Sequence, residues 1–327
     1  MKIRRLGNTA VEIGEIGMGC WQLGADWGAP LDKDAAFVIL SAALESGVTF
    51  FDTADVYGAG RSEEHIGQFI RKCGKSITVA TKFGRGADVY PDQYSEDRLR
   101  RSVDASLKRL GVDALDLLQL HCIPDEVLRN GKVFDWLRRL KQEGLIKNFG
   151  ASVETVAEGL FCLEQDELAS LQVIFNIFRQ KLVNALLPQA KTRGVGLIVR
   201  LPLASGLLTG KFTEDTQFAE TDHRHFNRNG ECFNVGETFA GLPFEKGVQL
   251  ADRLQAFLPD GMSMAQMALR WILDHDAVST IIPGASSPEQ AKANAVISGM
   301  QPLPDDLHQA LSEFYTNNVH QHIRGRY

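Results

Sequence analysis

Polar side chains stand directly after several short apolar runs of this chain. Asp52 ends the run VTFFD, Lys82 ends ITVATK, His121 ends LDLLQLH, and Tyr57 lies in the glycine-rich turn after Asp52. A charged lysine lowers the pKa of a nearby tyrosine, an aspartate keeps that lysine charged, and a histidine can hydrogen-bond a carbonyl oxygen. Placed together, the four side chains would form a proton donor for an oxygen that becomes negative during a reaction.

The same four residues also have a purely structural interpretation. Asp52 and Lys82 would then be a buried ion pair, and His121 a hydrogen-bonded residue at the end of a strand. Tyr57 would be a loop residue that covers the core. Spacing alone favours neither interpretation, so the question becomes whether the elements that carry these residues bring them to one place.

Eight apolar runs alternate with helical patterns along the chain. The runs are rich in Val, Ile, Leu and Phe, which is typical of strands buried on both faces of a parallel sheet. Helix signals stand between them, such as the capping residue Ser95 before two acids and Gly111 at the far end. The pattern predicts an α/β fold, a (β/α)8 TIM barrel, in which catalytic residues at strand ends share one mouth. The runs are 15–20, 48–52, 77–82, 115–121, 146–152, 171–176, 195–200 and 278–284.

A doubly wound sheet is the alternative, but Gly17, Gly19 and Gly24 do not form the G-x-G-x-x-G turn of that fold. The segment KIRRLGNTAVEIG predicts an N-terminal β-hairpin ahead of the barrel, and residues 1–327 are expected to form a single domain. Two long segments, 212–242 and the tail from Thr316, are expected as loops at the C-terminal face, where long loops are often lids. The tail either folds over the mouth or is a disordered basic end.

Composition excludes several classes of function. The 327 residues include 35 basic and 41 acidic side chains, and a net charge of −6 argues against nucleic acid or an anionic membrane as partner. Five scattered cysteines without a CxxC pair fit neither a disulfide framework nor a structural zinc site. No apolar run reaches the ~18 residues of a membrane span, and the N-terminus does not read as a secretory signal. We therefore expect a cytoplasmic protein.

Weaker signals come from histidines and aromatic residues. The pairs His223-x-His225 and His320-x-His322 have a spacing that can chelate a metal, but no third ligand is visible. We therefore predict no metal site and interpret both pairs as solvated loop residues. The candidates for aromatic walls of a substrate pocket are Trp21, Trp27, Tyr90 and Phe226.

The group Asp52, Tyr57, Lys82 and His121 resembles the catalytic tetrad of the aldo-keto reductases. The resemblance covers nearly the whole chain, in blocks that follow the family's order: RRLGNTAVEIGEIGMGCWQLG, FFDTADVYGAGRSEEHIG, TKFG, LLQLH, GLIKNFGASV, PLASGLLTGKF and IPGASSPEQAKANA. It implies a (β/α)8 barrel that binds a nicotinamide dinucleotide without a Rossmann domain. Tyr57 would be the general acid that protonates a carbonyl oxygen, Lys82 and His121 would tune and orient it, and Asp52 would pair with Lys82.

The resemblance further implies a site for NADPH, with NADH as the alternative. Ser152 and Gln172 would hydrogen-bond the nicotinamide carboxamide, and a loop from Pro202 to Lys211 would wrap the pyrophosphate with its backbone amides. The start of the helix 288–298 would hold the adenosine end. The other implied contacts are Gly19, Cys20, Trp21, Asp52 and Arg200 near the nicotinamide, Leu203, Ser205, Gly206, Leu208 and Gly210 in the loop, and Gly284, Ala285, Ser286, Gln290 and Asn294 at the adenosine.

Three departures from the family pattern keep the function open. Val153 stands where many members have asparagine, and Arg200 stands where many stack a tyrosine on the nicotinamide. Gln290 and Ala293 replace the arginine and glutamate of the 2′-phosphate site. The main expectation is an oxidoreductase that moves a hydride between NADP(H) and a small carbonyl or alcohol. The alternatives are an NAD(P)-dependent sugar or alcohol dehydrogenase and a non-enzymatic nicotinamide-binding regulatory subunit. The sequence gives neither the substrate nor the oligomeric state.

Overall fold

The computed structural model describes residues 1–24 and 31–327, and its centre is a barrel of parallel strands. Eight strands follow one another around the barrel in chain order, and every neighbouring pair is parallel. Parallel bridges from Ile16 to Ile281 and from Gly19 to Gly284 join the first strand to the last. The strands are β1 (Ile3–Arg5) and β2 (Glu12–Gly14) outside the barrel, and β3 (Met18–Gly19), β4 (Phe50–Asp52), β5 (Thr78–Phe83), β6 (Leu117–His121), β7 (Phe149–Ser152), β8 (Leu168–Ile174), β9 (Gly196–Arg200) and β10 (Val278–Ile281) within it.

Helices connect the barrel strands, and the helix between β5 and β6 carries the expected capping residues at both ends. The Ser95 hydroxyl accepts a hydrogen bond from the Arg98 backbone N–H at 3.3 Å, and Gly111 ends the same helix with a φ of 69°. The helices are α1 (Lys33–Glu45), α2 (Arg61–Cys73), α3 (Glu96–Leu110), α4 (Asp125–Asn130), α5 (Lys132–Gln142), α6 (Val156–Leu163), α7 (Leu186–Arg193), α8 (His223–Phe226), α9 (Phe244–Leu254), α10 (Met264–Leu273), α11 (Pro288–Val296) and α12 (Asp305–Phe314).

The structure confirms the barrel and the hairpin, with different bounds for some strands. Each of the eight predicted runs overlaps one barrel strand. The first run is a strand only over Met18–Gly19, and β8 begins at Leu168, three residues before its predicted start. The polar Ser170 just before Leu171 concealed that start, because it is buried within the sheet despite its hydroxyl.

The hairpin of β1 and β2 closes the N-terminal end of the barrel. The Asn8 backbone N–H donates to the Gly194 carbonyl at 2.7 Å, which fixes the hairpin turn against the start of β9. Leu6 and Ile13 of the hairpin are fully buried. They pack in one apolar cluster with five residues of the barrel strands and one that directly follows β10, namely Phe50, Ala80, Leu117, Ala169, Ile198 and Ile282. This end of the barrel is therefore filled by side chains.

The loop 212–242 and the tail pack against each other at the opposite end. The loop contains α8 and two short turns, Val235–Glu237 and Phe239–Gly241. The Arg324 guanidinium of the tail donates to the carbonyls of Gly241 and Leu242 at 3.0 and 3.1 Å. The tail is thus folded against this loop and is not a disordered end. No helix in the part of the chain that the structure describes is long and apolar enough to cross a bilayer.

Candidate active site at the barrel mouth

The barrel brings the four predicted catalytic residues together. Asp52, Lys82 and His121 lie at the C-terminal ends of β4, β5 and β6. The Lys82 ammonium donates to the Asp52 carboxylate, and to the Thr53 carbonyl at 2.7 Å. Its nitrogen lies 5.1 Å from the centre of the Tyr57 ring, and the Tyr57 and His121 rings meet edge to face at 5.8 Å. A chance set of strand-end residues would not share one ion pair and two ring contacts.

A tight turn presents Tyr57 to this group. Gly58 has a φ of 58°, and a Cβ at this position would lie 2.1 Å from the Gly24 carbonyl oxygen. Only glycine allows the turn to press so closely against the segment Trp21–Gly24. As a result Trp21 stacks on Tyr57, with ring centres 5.9 Å apart.

The protonation states of the tetrad suit proton donation. Burial alone would lower the pKa of Lys82, but Asp52 and Tyr57 raise it above its ordinary value. Burial, together with the charges of Arg85 and Lys82, holds the pKa of His121 well below its usual range. Lys82 is therefore charged and His121 neutral at neutral pH.

The charge of Lys82 lowers the pKa of Tyr57 as expected, but the prediction that this pKa is lowered overall is wrong. Burial raises the pKa of Tyr57, and the nearby Lys82 charge offsets that effect only in part. Sequence spacing gives the charge beside the phenol but not the desolvation, which here is the larger effect. Tyr57 is thus fully protonated at neutral pH and able to donate.

Two glutamine amides hold the other oxygen of the Asp52 carboxylate. Gln172 donates to Asp52 Oδ2 at 2.6 Å and Gln119 at 3.1 Å. We did not predict Gln119 as a site residue. The available signal was a polar residue inside the apolar run LLQLH, two positions before His121, where the alternation of a strand directs both side chains to the same side.

The residues predicted for the nicotinamide carboxamide lie beside the tetrad. The Ser152 hydroxyl and Gln172 Oε1 are 3.5 Å apart. Because the Gln172 amide nitrogen already donates to Asp52, its oxygen is the end that can accept from a ligand. A carboxamide offers one N–H₂ donor and one carbonyl acceptor, which match the Gln172 oxygen and the Ser152 hydroxyl. These residues therefore fit the nicotinamide carboxamide.

The stretch predicted for the pyrophosphate has an unusual backbone. Ala204 and Ser205 adopt left-handed φ angles of 49° and 55°, and Gly206 follows with 101°. Such conformations cost energy for residues other than glycine and cluster at functional sites. The Ser205 hydroxyl also accepts from the Phe239 backbone N–H at 3.1 Å, so this stretch contacts the loop 212–242. Pro202 and Leu208 are buried, whereas Gly210 and Lys211 are exposed.

The residues predicted for the adenosine end gather at the start of α11. Gln290 Oε1 accepts from the Ser286 backbone N–H at 2.8 Å and from its hydroxyl at 3.0 Å. The Asn294 side chain donates to the Gly284 carbonyl at 3.2 Å. Ala285, the next residue in the chain after Gly284, is buried. Gln290 is thus already engaged within the protein, where the family pattern would place an arginine.

The residues predicted to line the nicotinamide and a substrate pocket differ in burial and in position. Gly19 lies on β3, and Cys20 is fully buried, with its backbone N–H donating to the Asp52 carbonyl at 2.8 Å. The prediction that His223 is a solvated loop residue is wrong, because His223 is buried and its ring lies 4.9 Å from that of Trp21. Tyr90 is exposed. Phe226 packs against Phe233, which in turn packs against Trp21, and Trp27 lies outside the described residues.

A group of four charged side chains completes the mouth, and only Arg200 among them was predicted as a site residue. Arg85 pairs with Glu154 at 2.9 Å and with Glu237 at 3.0 Å, and Arg200 faces Glu237 at 3.5 Å. Arg85 and Glu154 each follow a barrel strand by two residues, a position that sequence reasoning could have flagged. Glu237 comes from the loop 212–242, whose path over the mouth no sequence pattern revealed.

Known proteins and solved structures are similar to this chain over nearly its whole length. The model described as "Aldo/keto reductase family" matches residues 15–316. The chain is 30% identical over 314 residues to the NADH-specific methylglyoxal reductase of Escherichia coli (strain K12), covering 90% of this chain and 92% of that one. It is also 30% identical over 326 residues to a probable voltage-gated potassium channel subunit beta of Arabidopsis thaliana, covering 93% of each. Among solved structures, the glycerol dehydrogenase of Gluconobacter oxydans superposes with a TM-score of 0.79 at 27% identity, covering 99% of this chain and 98% of that one.

Proposed function

The chain belongs to the aldo/keto reductase family, and from that premise we propose that it reduces a carbonyl compound with Tyr57 as the proton donor and NADPH as the reductant. Family membership makes it an NAD(P)H-dependent oxidoreductase of carbonyl and alcohol groups. The observation that carries the proposal for Tyr57 is the convergence of its ring with Lys82 and His121 at the mouth.

The bound nicotinamide would supply the hydride that adds to the carbonyl carbon. Tyr57 would give its phenolic proton to the carbonyl oxygen, because that oxygen gains the electron pair of the C=O π bond. Lys82, held in place by Asp52, would stabilise the phenolate that forms. Neutral His121 would hydrogen-bond the same oxygen and so orient the carbonyl. Water then reprotonates Tyr57, and alcohol oxidation would use the same residues in reverse.

The preference for NADPH is part of the proposal. Ser286, Ser287 and Lys292 near the start of α11 can bind a 2′-phosphate, which supports NADPH. Gln290, which is hydrogen-bonded to Ser286, offers no positive charge for a 2′-phosphate. One relative is an NADH-specific reductase by name, so NADH is the alternative cofactor. We further place the enzyme in the cytoplasm, which its five free cysteines support, with residues 1–327 as one domain.

Two other functions have some support. The glycerol dehydrogenase neighbour favours alcohol oxidation as the physiological direction, and the channel-subunit relative favours a regulatory role. The complete tetrad argues against the second, because a regulatory subunit has no need of a charged Lys82 beside Tyr57. Steady turnover of an aldehyde would exclude a purely regulatory role.

The test follows the oxidation of NADPH and of NADH by purified protein in the presence of an aromatic aldehyde. Replacing Tyr57 with Phe keeps the ring and removes the proton, so we expect the rate to fall roughly 10²- to 10⁴-fold. Cofactor binding, measured by fluorescence titration, should remain nearly unchanged. A variant that keeps most of its rate would contradict the role of Tyr57.

A further inference from the structure

Two arginines converge on one carboxylate at the barrel mouth. Glu237 Oε1 accepts from Arg85 Nη2 at 3.0 Å, and Glu237 Oε2 lies 3.5 Å from Arg200 Nη1. Each oxygen thus faces a different guanidinium, a strong arrangement for binding a carboxylate. The Glu237 side chain is only 10% exposed. The fold therefore contains a buried carboxylate-binding position, and a side chain of the protein occupies it.

The arginines and the carboxylate belong to different parts of the fold. Arg200 is the last residue of β9 and pairs in register with Ile174 of β8, so the barrel fixes its position. Arg85 follows the end of β5 by two residues. Glu237 ends a three-residue turn within the loop 212–242. A movement of that loop would remove the carboxylate and leave both arginines in place.

Both arginines have hydrogen-bonding capacity that Glu237 does not use. The Nε atoms of Arg85 and Arg200 are buried, and neither has a hydrogen-bond partner among the described residues. Buried donors without partners cost free energy, and they are rare in folded proteins. A ligand that reached these N–H groups would therefore gain more hydrogen bonds than Glu237 makes.

The charge of the site also calls for an anion once Glu237 leaves. Arg85 would keep its ion pair with Glu154 at 2.9 Å. Arg200 would keep its contact with the Cys122 sulfur at 3.4 Å and its attraction to the charge of Glu154. The remaining group of Arg85, Arg200 and Glu154 carries one net positive charge, which one carboxylate neutralises.

The site adjoins the reacting centre. The charges of Arg85 and Arg200 both contribute to the lowered pKa of His121, which would orient the substrate carbonyl. Arg200 Nη2 also contacts Cys122, the neighbour of His121 in sequence. A group bound between the arginines would therefore lie close enough to His121 to belong to the same small molecule as the carbonyl.

We propose that Arg85 and Arg200 bind a carboxylate group of the carbonyl substrate, and that Glu237 occupies this position until the substrate enters. The inference rests on the proposed carbonyl reduction and narrows its substrate class to aldehydes or ketones that also carry a carboxylate. It is compatible with a contact of Arg200 with the nicotinamide, because a guanidinium offers a flat face to a ring and an N–H edge to an anion.

A matched pair of substrates tests the proposal: 4-formylbenzoate and its methyl ester, which share the aldehyde and differ in charge. The ratio of kcat/KM for acid to ester should exceed one in the wild type and fall roughly 10- to 100-fold in Arg85→Gln, mainly through KM. Arg85→Lys keeps the positive charge but loses the two parallel N–H groups of the guanidinium. Its ratio of kcat/KM for acid to ester should therefore lie between those of the wild type and Arg85→Gln. Glu237→Gln should lower the KM for the acid, because the internal competitor loses its charge.

The control is Arg193→Gln, an arginine that pairs with Glu164 at 2.7 Å at the hairpin end of the barrel. Its ratio should equal that of the wild type. Equal kcat/KM for acid and ester in the wild type, or an unchanged ratio in Arg85→Gln, would overturn the inference and leave carbonyl reduction standing.

Failure of the proposed function would look different. Absence of turnover for both substrates with both cofactors would contradict carbonyl reduction, and calorimetric titration of the NADPH-loaded protein with 4-formylbenzoate would then decide the carboxylate site. Binding that weakens in Arg85→Gln but not in Arg193→Gln supports the site, and equal binding to both variants contradicts it.

Discussion

The two ends of the barrel interior are built from the same strands but have opposite characters. On β4, Phe50 lies in the apolar cluster under the hairpin, and two residues later Asp52 lies in the tetrad. On β6, Leu117 belongs to that cluster, and Gln119 and His121 follow at intervals of two. Because side chains alternate along a strand, all five face the interior. Along each strand, the side chains therefore change from apolar core residues to polar site residues over a distance of about 7 Å.

The difference lies in how each end stabilises the fold. At the hairpin end, apolar side chains fill the barrel, and burial of apolar surface stabilises it. At the mouth, buried charges need partners, and the Asp52–Lys82 pair with its two glutamine amides provides them. Substitutions at the hairpin end should therefore change stability more than rate, and substitutions at the mouth should change rate and in some cases raise stability.

The largest expected effect is that of Lys82→Met at the mouth. The variant removes the charge that would stabilise the Tyr57 phenolate, and we expect a roughly 10²- to 10⁴-fold loss of kcat. It also leaves Asp52 buried without its cation, which should cost about 3–5 kcal/mol of unfolding free energy. Aldehyde reduction and urea unfolding measure the two effects. The control Lys147→Met removes an exposed ion pair with Asp116 and should change stability by about 0–1 kcal/mol.

The reverse pattern is expected for Ile13→Ala at the hairpin end. Ile13 is fully buried, so the cavity should cost about 2–5 kcal/mol of unfolding free energy. The kcat of the folded protein should stay unchanged. Ile3→Ala, on the exposed side of the same hairpin, should alter stability by less than about 0.5 kcal/mol. A large loss of kcat in Ile13→Ala below its unfolding temperature would break the division between the two ends.

A smaller effect is expected for Asp55→Asn in the turn before Tyr57, and unlike the two preceding variants it should raise the unfolding free energy. Burial and the nearby Glu63 raise the pKa of Asp55 to about 6 in the folded protein. Between the ordinary aspartate value and about 6 the folded state binds more protons than the unfolded state, so stability falls as pH rises through this window. The variant should gain about 1–3 kcal/mol at pH 7 and lose this pH dependence. The exposed Asp104→Asn serves as control, and an equal gain there would contradict the argument.

The sequence was sufficient for features that depend on local pattern. The apolar runs predicted barrel strands that the structure contains, because burial on both faces leaves a continuous apolar stretch in the sequence. Ser95 and Gly111 predicted the ends of a helix, because each helix end favours particular residue types. The glycine-rich turn after Asp52 indicated Tyr57, and the resemblance supported its role as the general acid. Contacts across the mouth were beyond reach: Arg85 and Glu237 are 152 residues apart, and no spacing rule connects a strand end to a distant loop. The raised pKa of Tyr57 was missed for a related reason, since burial depends on the whole packed mouth.

The most direct test of the central claim is the pH dependence of kcat/KM for aldehyde reduction in the wild type. If Tyr57 is the acid, its raised pKa and the lowered pKa of His121 together predict a profile that stays level through neutral pH and falls only at high pH, where the phenol ionises. The alternative acid is a protonated His121, whose loss of a proton would end activity near the ordinary histidine pKa of about 6.5. A level profile across neutrality that disappears in Tyr57→Phe is the predicted result, and a fall through an apparent pKa near that histidine value would contradict the account.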